Sequence, residues 1–185
     1  MQTNDAAGPE AASGSATWEV TKWYLEMRQP EELRGRPAPA GDIAVVRATI
    51  PSPQFSRFLY TAVGGAWYWT ERLTWDDDRW LRHLSRPDLE TWVLYHSGTP
   101  AGFIELEGQQ TGDVEIVYFG LLPGFIGQGL GGHLLTVGVQ RAWAMGARRV
   151  WLHTCSLDSP HALANYQARG FRVYREERLQ IAARG

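Results

Sequence analysis

The sequence predicts an α+β fold: a mixed, mostly antiparallel central sheet flanked by helices, with a β-α-β unit in its second half. Three observations predict it. Apolar residues alternate with polar ones in several short runs, as in half-buried strands. Elsewhere they recur at helical spacing, over Phe55–Val63 and again over Leu130–Trp143. The order then mixes early helices, hairpin-linked strands and a strand–helix–strand unit, which suits a single α+β domain.

Each element follows from local sequence. Trp18–Met27 partly alternates and reads as a strand, and Pro30–Asp42, broken by Pro and Gly, as a loop. Ile43–Ile50 is strand-like. The helix carrying Phe55, Phe58, Leu59, Ala62 and Val63 ends at Gly64-Gly65. An aromatic loop, AWYWTERLTW, follows, and Asp76–Asp78 start the next helix. LETWVLYHSG, TPAGFIELEG and TGDVEIVYFGLLP are three strands, the first two joined at Ser97–Pro100 by a hairpin turn. A helix over Leu130–Met145 carries a stripe of Leu130, Leu134, Leu135, Val139, Ala142 and Trp143, and Gly146 closes it. ARRVWLHTC is a strand. SPHALANYQARG is a helix, with Ser159 as its cap and Pro160 at its first position. FRVYREERL is the last strand.

Composition narrows the function. The chain has 185 residues, enough for one domain with a real core. Its net charge of -2 gives no reason to expect nucleic acid. Cys155, the single cysteine, cannot close an internal disulfide, which suits a reducing, cytoplasmic compartment. No apolar run of about 18 residues is present, so no membrane span is expected. Residues 1–16, small and polar, read as a disordered tail before a domain over 17–185. Lys22 is the one lysine; every other basic residue is arginine.

The richest signal is Gly127-Gln128-Gly129-Leu130-Gly131-Gly132, at the mouth of a helix. Glycine costs roughly 0.5–1 kcal/mol against alanine inside an element, so four together need a reason. The first N–H groups of a helix lack internal partners, and without Cβ atoms nearby they are open to an anion that the helix dipole favours. A pyrophosphate is the natural guest; a merely glycine-rich helix start is the plainer alternative. Gly127, Gly129 and Gly132 match the dinucleotide pattern G-x-G-x-x-G, but Pro123–Ile126 separate them from the strand. No Lys-Ser/Thr pair follows, which excludes a nucleoside triphosphate loop.

Val114–Phe171 resembles the acyl-CoA binding core of the GNAT superfamily of N-acyltransferases. The family pattern Gln/Arg-x-x-Gly-x-Gly/Ala reads here Ile126-Gly127-Gln128-Gly129-Leu130-Gly131. Both glycines match, and Ile126 replaces the polar first residue. Further on, Ser159 stands for the family's Asn, while Ala162, Tyr166 and Gly170-Phe171 match in register. AVGGAWYWTERLTW resembles a bacterial branch of the family. The resemblance implies acetyl transfer from acetyl-CoA to a primary amine of a small-molecule or amino-acid-like acceptor, by direct attack and without a metal. It implies CoA contacts at Leu121, Leu122, Gly127, Gln128, Leu130 and the neighbouring Gly129, Gly131 and Gly132. It also implies a tendency to dimerise.

The chemistry sets further expectations. A protonated amine cannot attack a thioester, so a base is needed. The resemblance points to Glu115, which strand alternation would put on one face with Val117, Phe119 and Leu121, a desolvating setting. The alternative is a surface carboxylate, with Glu105 and Glu107 as reserves. A backbone N–H at Leu121 or Leu122 would stabilise the oxyanion. Tyr166 matches the family's general acid and reads equally as a core aromatic. Trp67, Trp69 and Glu71, with Tyr68, Trp75 and Asp76–Asp78 nearby, suit a cationic acceptor, or else form a satellite core and a helix start. Cys155 has no activating histidine, and His133 and His153 form no metal set. Ile126 and Ser159 keep open a rival of another class, a module that binds CoA and catalyses nothing.

Overall fold

The computed structural model describes residues 17–182; the tail expected over residues 1–16 lies outside them. Among the described residues, seven strands and four α-helices follow the expected order. They are β1 (Thr17–Met27), β2 (Ile43–Arg47), α1 (Pro53–Gly64), α2 (Asp77–Leu84), β3 (Leu89–His96), β4 (Thr99–Gly108), β5 (Asp113–Leu121), α3 (Leu130–Ala144), β6 (Arg149–Cys155), α4 (Ala162–Ala168) and β7 (Arg172–Ala182). The strands form one sheet in the order β2-β3-β4-β5-β6-β1-β7. Among the described residues only β5 and β6 run parallel, joined through α3. Among the described residues, no helix is long and apolar enough to cross a membrane.

Local chemistry accounts for most boundaries. Ser52 caps α1 by accepting from the Phe55 N–H at 3.4 Å, with a proline in the first turn. Asp76 caps α2 in the same way, accepting from the Arg79 N–H at 2.7 Å. The turn between β3 and β4 is Ser97-Gly98, both at positive φ, as a two-residue hairpin requires.

Three boundaries differ from expectation. The second strand stops at Arg47 instead of Ile50, ahead of the prolines at 51 and 53. Residues 30–32, inside the expected loop, form a 3-10 turn; the Glu32 carboxylate accepts from the Gln29 N–H, a local bond that the Pro/Gly content masked. The last helix starts at Ala162, with His161 at its N-cap, so Ser159 and Pro160 do not open it. The Ser159 carbonyl accepts the Ala162 N–H at 2.9 Å, which makes residues 159–162 a separate turn.

The two faces of the sheet carry different cores. On one, α3 buries Leu130, Leu134, Leu135 and Val139 against strands β1, β4, β5 and β6, with Tyr166 and Phe171 at the margin. On the other, Leu59 and Val63 of α1 pack with Val93, Phe103, Trp69 and Tyr118. Arg72 fixes the aromatic loop to this second face. Its guanidinium donates to both oxygens of Glu105 at 2.7 and 2.9 Å, and the two residues are 6% and 2% exposed. Tyr118 and Trp75 stack on it, 4.4 and 4.8 Å from the guanidinium carbon. Burial alone would raise the Glu105 pKa, but hydrogen bonds from His83 and Arg72 and the arginine's charge hold it below the usual range. Glu105 is therefore an ionised partner and not a reserve base.

Removing one member of a buried ion pair strands the other charge. Glu105→Gln should lower unfolding free energy by about 3–5 kcal/mol, with a smaller loss for Arg72→Met with Glu105→Gln than for either change alone. Urea unfolding measures this. Additive single losses would mean that the pair does not act as a unit.

Candidate active site

The parallel pairing of β5 and β6 covers three pairs, Asp113↔Arg149, Val114↔Val150 and Glu115↔Trp151. Beyond them the strands part, and a cavity of about 810 Å³ occupies the gap. It reaches from the glycine loop, past Phe119, Gly120 and Tyr166, to the aromatic loop and the face of β1 and β7.

At one end, Gly129 is the N-cap of α3 at φ +80°, and Gly127 has φ +86°. Both lie in the left-handed region that side chains disfavour. A Cβ at Gly131 would meet only ordinary contacts, the closest 3.6 Å away on Leu121, and Gly131 lines the cavity. The loop thus brings bare main chain to the mouth of a 15-residue helix, a setting for an anion. Gly127, Gly129, Gly131, Gly132 and Leu121 line the cavity; Gln128, Leu130 and Leu122 do not. Leu130 is fully buried in the core, and Gln128 turns its amide onto the Gly124 carbonyl at 2.9 Å. The Leu122 N–H is spent on the Ala101 carbonyl at 2.9 Å and cannot serve an oxyanion.

In the middle, a β-bulge corrects the expected facing of Glu115. Glu105 pairs with Tyr118 and Leu106 with Ile116, so Val117 has no register partner on β4. The extra residue reverses the alternation. Phe119 and Leu121 join the α3 core with Val114 and Ile116, while Glu115 faces the other way, on the side of Tyr118. There it stands opposite Glu107, and its Oε2 accepts from Gln109 Nε2 at 3.2 Å. Burial, then the Glu107 charge, pushes its pKa up to about 7. Glu107 is itself paired with Arg86 at 2.9 Å.

Glu115 lies behind the cavity wall. His153, 3.9 Å from it through Nε2, is on the wall, as are Lys22, Cys155 and Val117. Burial, then the Lys22 charge, lowers the His153 pKa, which leaves the ring neutral. Burial and Asp158 raise that of Cys155, so its thiol stays protonated. Tyr166 is on the wall from the α3 side and packs against Phe119 at 5.9 Å. Burial raises its pKa, which keeps the phenol a hydrogen-bond donor.

At the far end, Trp67, Tyr68, Trp69 and Glu71 line the cavity, and Tyr118 donates to Glu71 Oε2 at 3.0 Å. Trp18 and Tyr68 meet edge to face at 5.4 Å across the opening. The aromatic loop divides between cavity wall and core. Trp75 packs on Trp80 and Arg72 away from the cavity, and Trp69 belongs to both the second core and the wall.

Sequence reading missed His153 as a wall residue, together with Lys22, Val117 and Arg36. The alternation of β1 and β6 holds the signal for Lys22 and His153, once Lys22↔Cys155 and Tyr24↔His153 are known to pair. Nothing local marks Arg36.

The model of the Acetyltransferase (GNAT) family matches residues 53–171. No curated protein matches the chain. A GCN5-related N-acetyltransferase from Kribbella flavida shares 20% identity over 91% of this chain and 60% of its own, with a TM-score of 0.65. One from Sphaerobacter thermophilus shares 21% over 87% of this chain and 50% of its own, at 0.60. An aminoglycoside acetyltransferase from an uncultured soil sample, in complex with trehalose, shares 17% over 69% of this chain and 86% of its own, at 0.58. At these identities the structures support the fold, and the chain spans only half to three-fifths of the first two.

The raised Glu115 pKa has a consequence for stability. A carboxyl that prefers its neutral form when folded contributes stability below its ordinary value of 4.5, and that contribution is lost as pH rises through about 7. The urea midpoint of the parent should therefore fall between about pH 4.5 and pH 7 relative to Glu115→Gln. Parallel profiles for the two proteins would place Glu115 in water.

Proposed function

The chain belongs to the GNAT acetyltransferase family, and we propose on that premise that it transfers an acetyl group from acetyl-CoA to a primary amine of a small-molecule or amino-acid-like acceptor. One observation carries this reading. A single cavity joins the positive-φ glycines at the start of α3, the parted edges of β5 and β6, and the aromatic loop with Glu71. A long co-substrate with a diphosphate at one end and a thioester at the other suits that succession.

The diphosphate meets the main-chain N–H groups of Gly127–Gly132, helped by the dipole of α3. The pantetheine arm lies along the β5 edge that β6 has left. The acyl oxygen faces the bulge at Val117, which has no register partner on β4 or β6, since the Leu122 N–H is spent on the Ala101 carbonyl. The acceptor enters between Trp67, Trp69 and Glu71, whose rings and charge favour an ammonium. Its excess proton passes by way of His153 to Glu115, and the neutral amine attacks the thioester carbon. The carbon–sulfur bond breaks as the carbon–nitrogen bond forms, the second proton on nitrogen leaves to water and one returns to the thiolate as product departs, and Tyr166 donates a hydrogen bond to the departing sulfur. The protonated Cys155 thiol argues against an acyl-enzyme.

A CoA-binding module without catalysis is the second reading, favoured by the placement of Glu115 behind the wall. Thiol release from acetyl-CoA across a panel of amines separates the two. The expected result is turnover with at least one amine, rising with pH through about 7. Glu115→Gln and Tyr166→Phe should each lose roughly 10²–10⁴-fold in kcat while still binding CoA. CoA binding with no thiol release from any amine would favour the module. Full activity in both variants would overturn the roles given to them.

A further inference from the structure

Ile126 leaves the glycine loop without the polar side chain that opens the family pattern, yet two guanidiniums converge on that loop from elsewhere. Arg36, in the segment between β1 and β2, lines the cavity. A Cβ built on Gly129 would lie 3.3 Å from its Nη2, and one on Gly132 would lie 2.8 Å from its Cδ. The segment is tied down there: the Arg36 N–H donates to Thr136 Oγ1 at 2.9 Å, and that hydroxyl donates to the Gly132 carbonyl at 2.7 Å. Arg169, just past α4, approaches from the other side, with Nη1 2.8 Å from the same built Cβ on Gly132. Its Nε and Nη1 are buried and have no hydrogen-bond partner among the described residues. Its carbonyl accepts the Arg34 N–H at 3.0 Å, which joins the two arginine segments.

The charge here is one-sided. Neither arginine has an ion pair among the described residues, and both sit beside the positive end of the α3 dipole. Two cations at a helix N-terminus repel it and each other, and a buried donor without a partner costs more still. An anion held between them would relieve all three penalties. The glycines also leave room for both side chains, since a Cβ at Gly132 would collide with each.

We infer that Arg36 is a binding residue for the diphosphate of the nucleotide co-substrate, supplying from the β1–β2 segment the charge that Ile126 lacks, with Arg169 as a positioning partner beside Gly132. The inference rests on the acyl-CoA reading above. It selects the diphosphate over the 3′-phosphate because Arg36 Nη2 lies beside the N-cap Gly129, where the helix N–H groups point.

Calorimetric titration tests this without knowledge of the acceptor. CoA, dephospho-CoA and pantetheine are titrated into the parent, Arg36→Ala and Arg36→Lys, at two salt concentrations. Arg36→Ala should bind both CoA and dephospho-CoA about 10–100-fold more weakly, with a shallower salt dependence, and should bind pantetheine as the parent does. Arg36→Lys should recover part of the loss. Arg36 is exposed, so these variants should keep the parent's melting temperature. Unchanged CoA affinity in Arg36→Ala would overturn the inference, while failure of the parent to bind CoA would overturn the underlying reading instead. A loss seen with CoA but not with dephospho-CoA would move the contact to the 3′-phosphate and overturn the diphosphate assignment. For Arg169, Arg169→Met should melt within a few degrees of the parent and weaken CoA binding. A variant that folds and binds CoA as the parent does would remove Arg169 from the account.

Discussion

Parallel contact between β5 and β6 ends at Glu115 and Trp151, and the rest of the molecule is arranged around that end. Two neighbouring strands that stop pairing in mid-sheet expose N–H and C=O groups that no closed apolar core could leave unmatched. The fold meets this constraint by keeping the gap open as a cavity. α3 rises from the end of β5 and α4 follows β6, so their first turns stand on either side of one opening. The bulge at Val117 belongs to the same arrangement. It adds a residue where β5 has lost its neighbour, and so turns Phe119 and Leu121 toward α3 while Tyr118 and Gly120 face α1.

The far wall depends on a different force. The tryptophan-rich loop is held internally by local turn bonds, such as Trp67 N–H to the Gly64 carbonyl and Trp75 N–H to the Arg72 carbonyl, and the buried Arg72–Glu105 pair ties it to the sheet. Such a pair is expensive to desolvate and adds little net stability against an apolar substitute. Its value lies in register. A bidentate guanidinium stacked on Tyr118 and Trp75 fixes its own position, and Glu71, the next residue back along the chain, comes to the cavity as a result. The loop's aromatics divide accordingly: Trp75 holds the arginine, Trp67 and Tyr68 face the opening, and Trp69 packs on Tyr118 in the second core while lining the cavity.

What the sequence made legible follows from how local each signal is. The order of elements, the α3 stripe and the glycine loop are written in consecutive residues and emerge as expected. Tyr166 is singled out by a motif of fixed spacing, and in the fold it is a buried aromatic that also lines the cavity. Glu115 was found, but its facing was not, because one extra residue in a strand inverts every side chain after it and leaves no mark in the hydrophobic pattern. The cap at Ser159 failed because a serine before a proline suits a turn as well as a helix start. Lys22, His153 and Arg36 were invisible as site residues. Each reaches the cavity through long-range packing, β1 against β6 and the β1–β2 segment against α3, which no local periodicity encodes.

The two sides of the gap also differ in what they can do with a proton. Glu115, buried next to Glu107 with a pKa near 7, takes a proton readily at neutral pH. Tyr166, on the opposite face, has its pKa driven above the ordinary value of 10.0. A thiol has a reference pKa of about 8.5, so full proton transfer from such a phenol to a departing thiolate runs uphill. Tyr166 is therefore suited to hold the sulfur by a hydrogen bond more than to protonate it. In the proposed reaction the ammonium gives up two protons, one before attack and one as the carbon–nitrogen bond forms, and the thiolate takes one back, while Glu115 exchanges protons near pH 7. The sulfur must then be reprotonated from that side or from water as the product leaves. In that proposal desolvation separates the two roles: the carboxyl serves as a base and the phenol as a fixed donor.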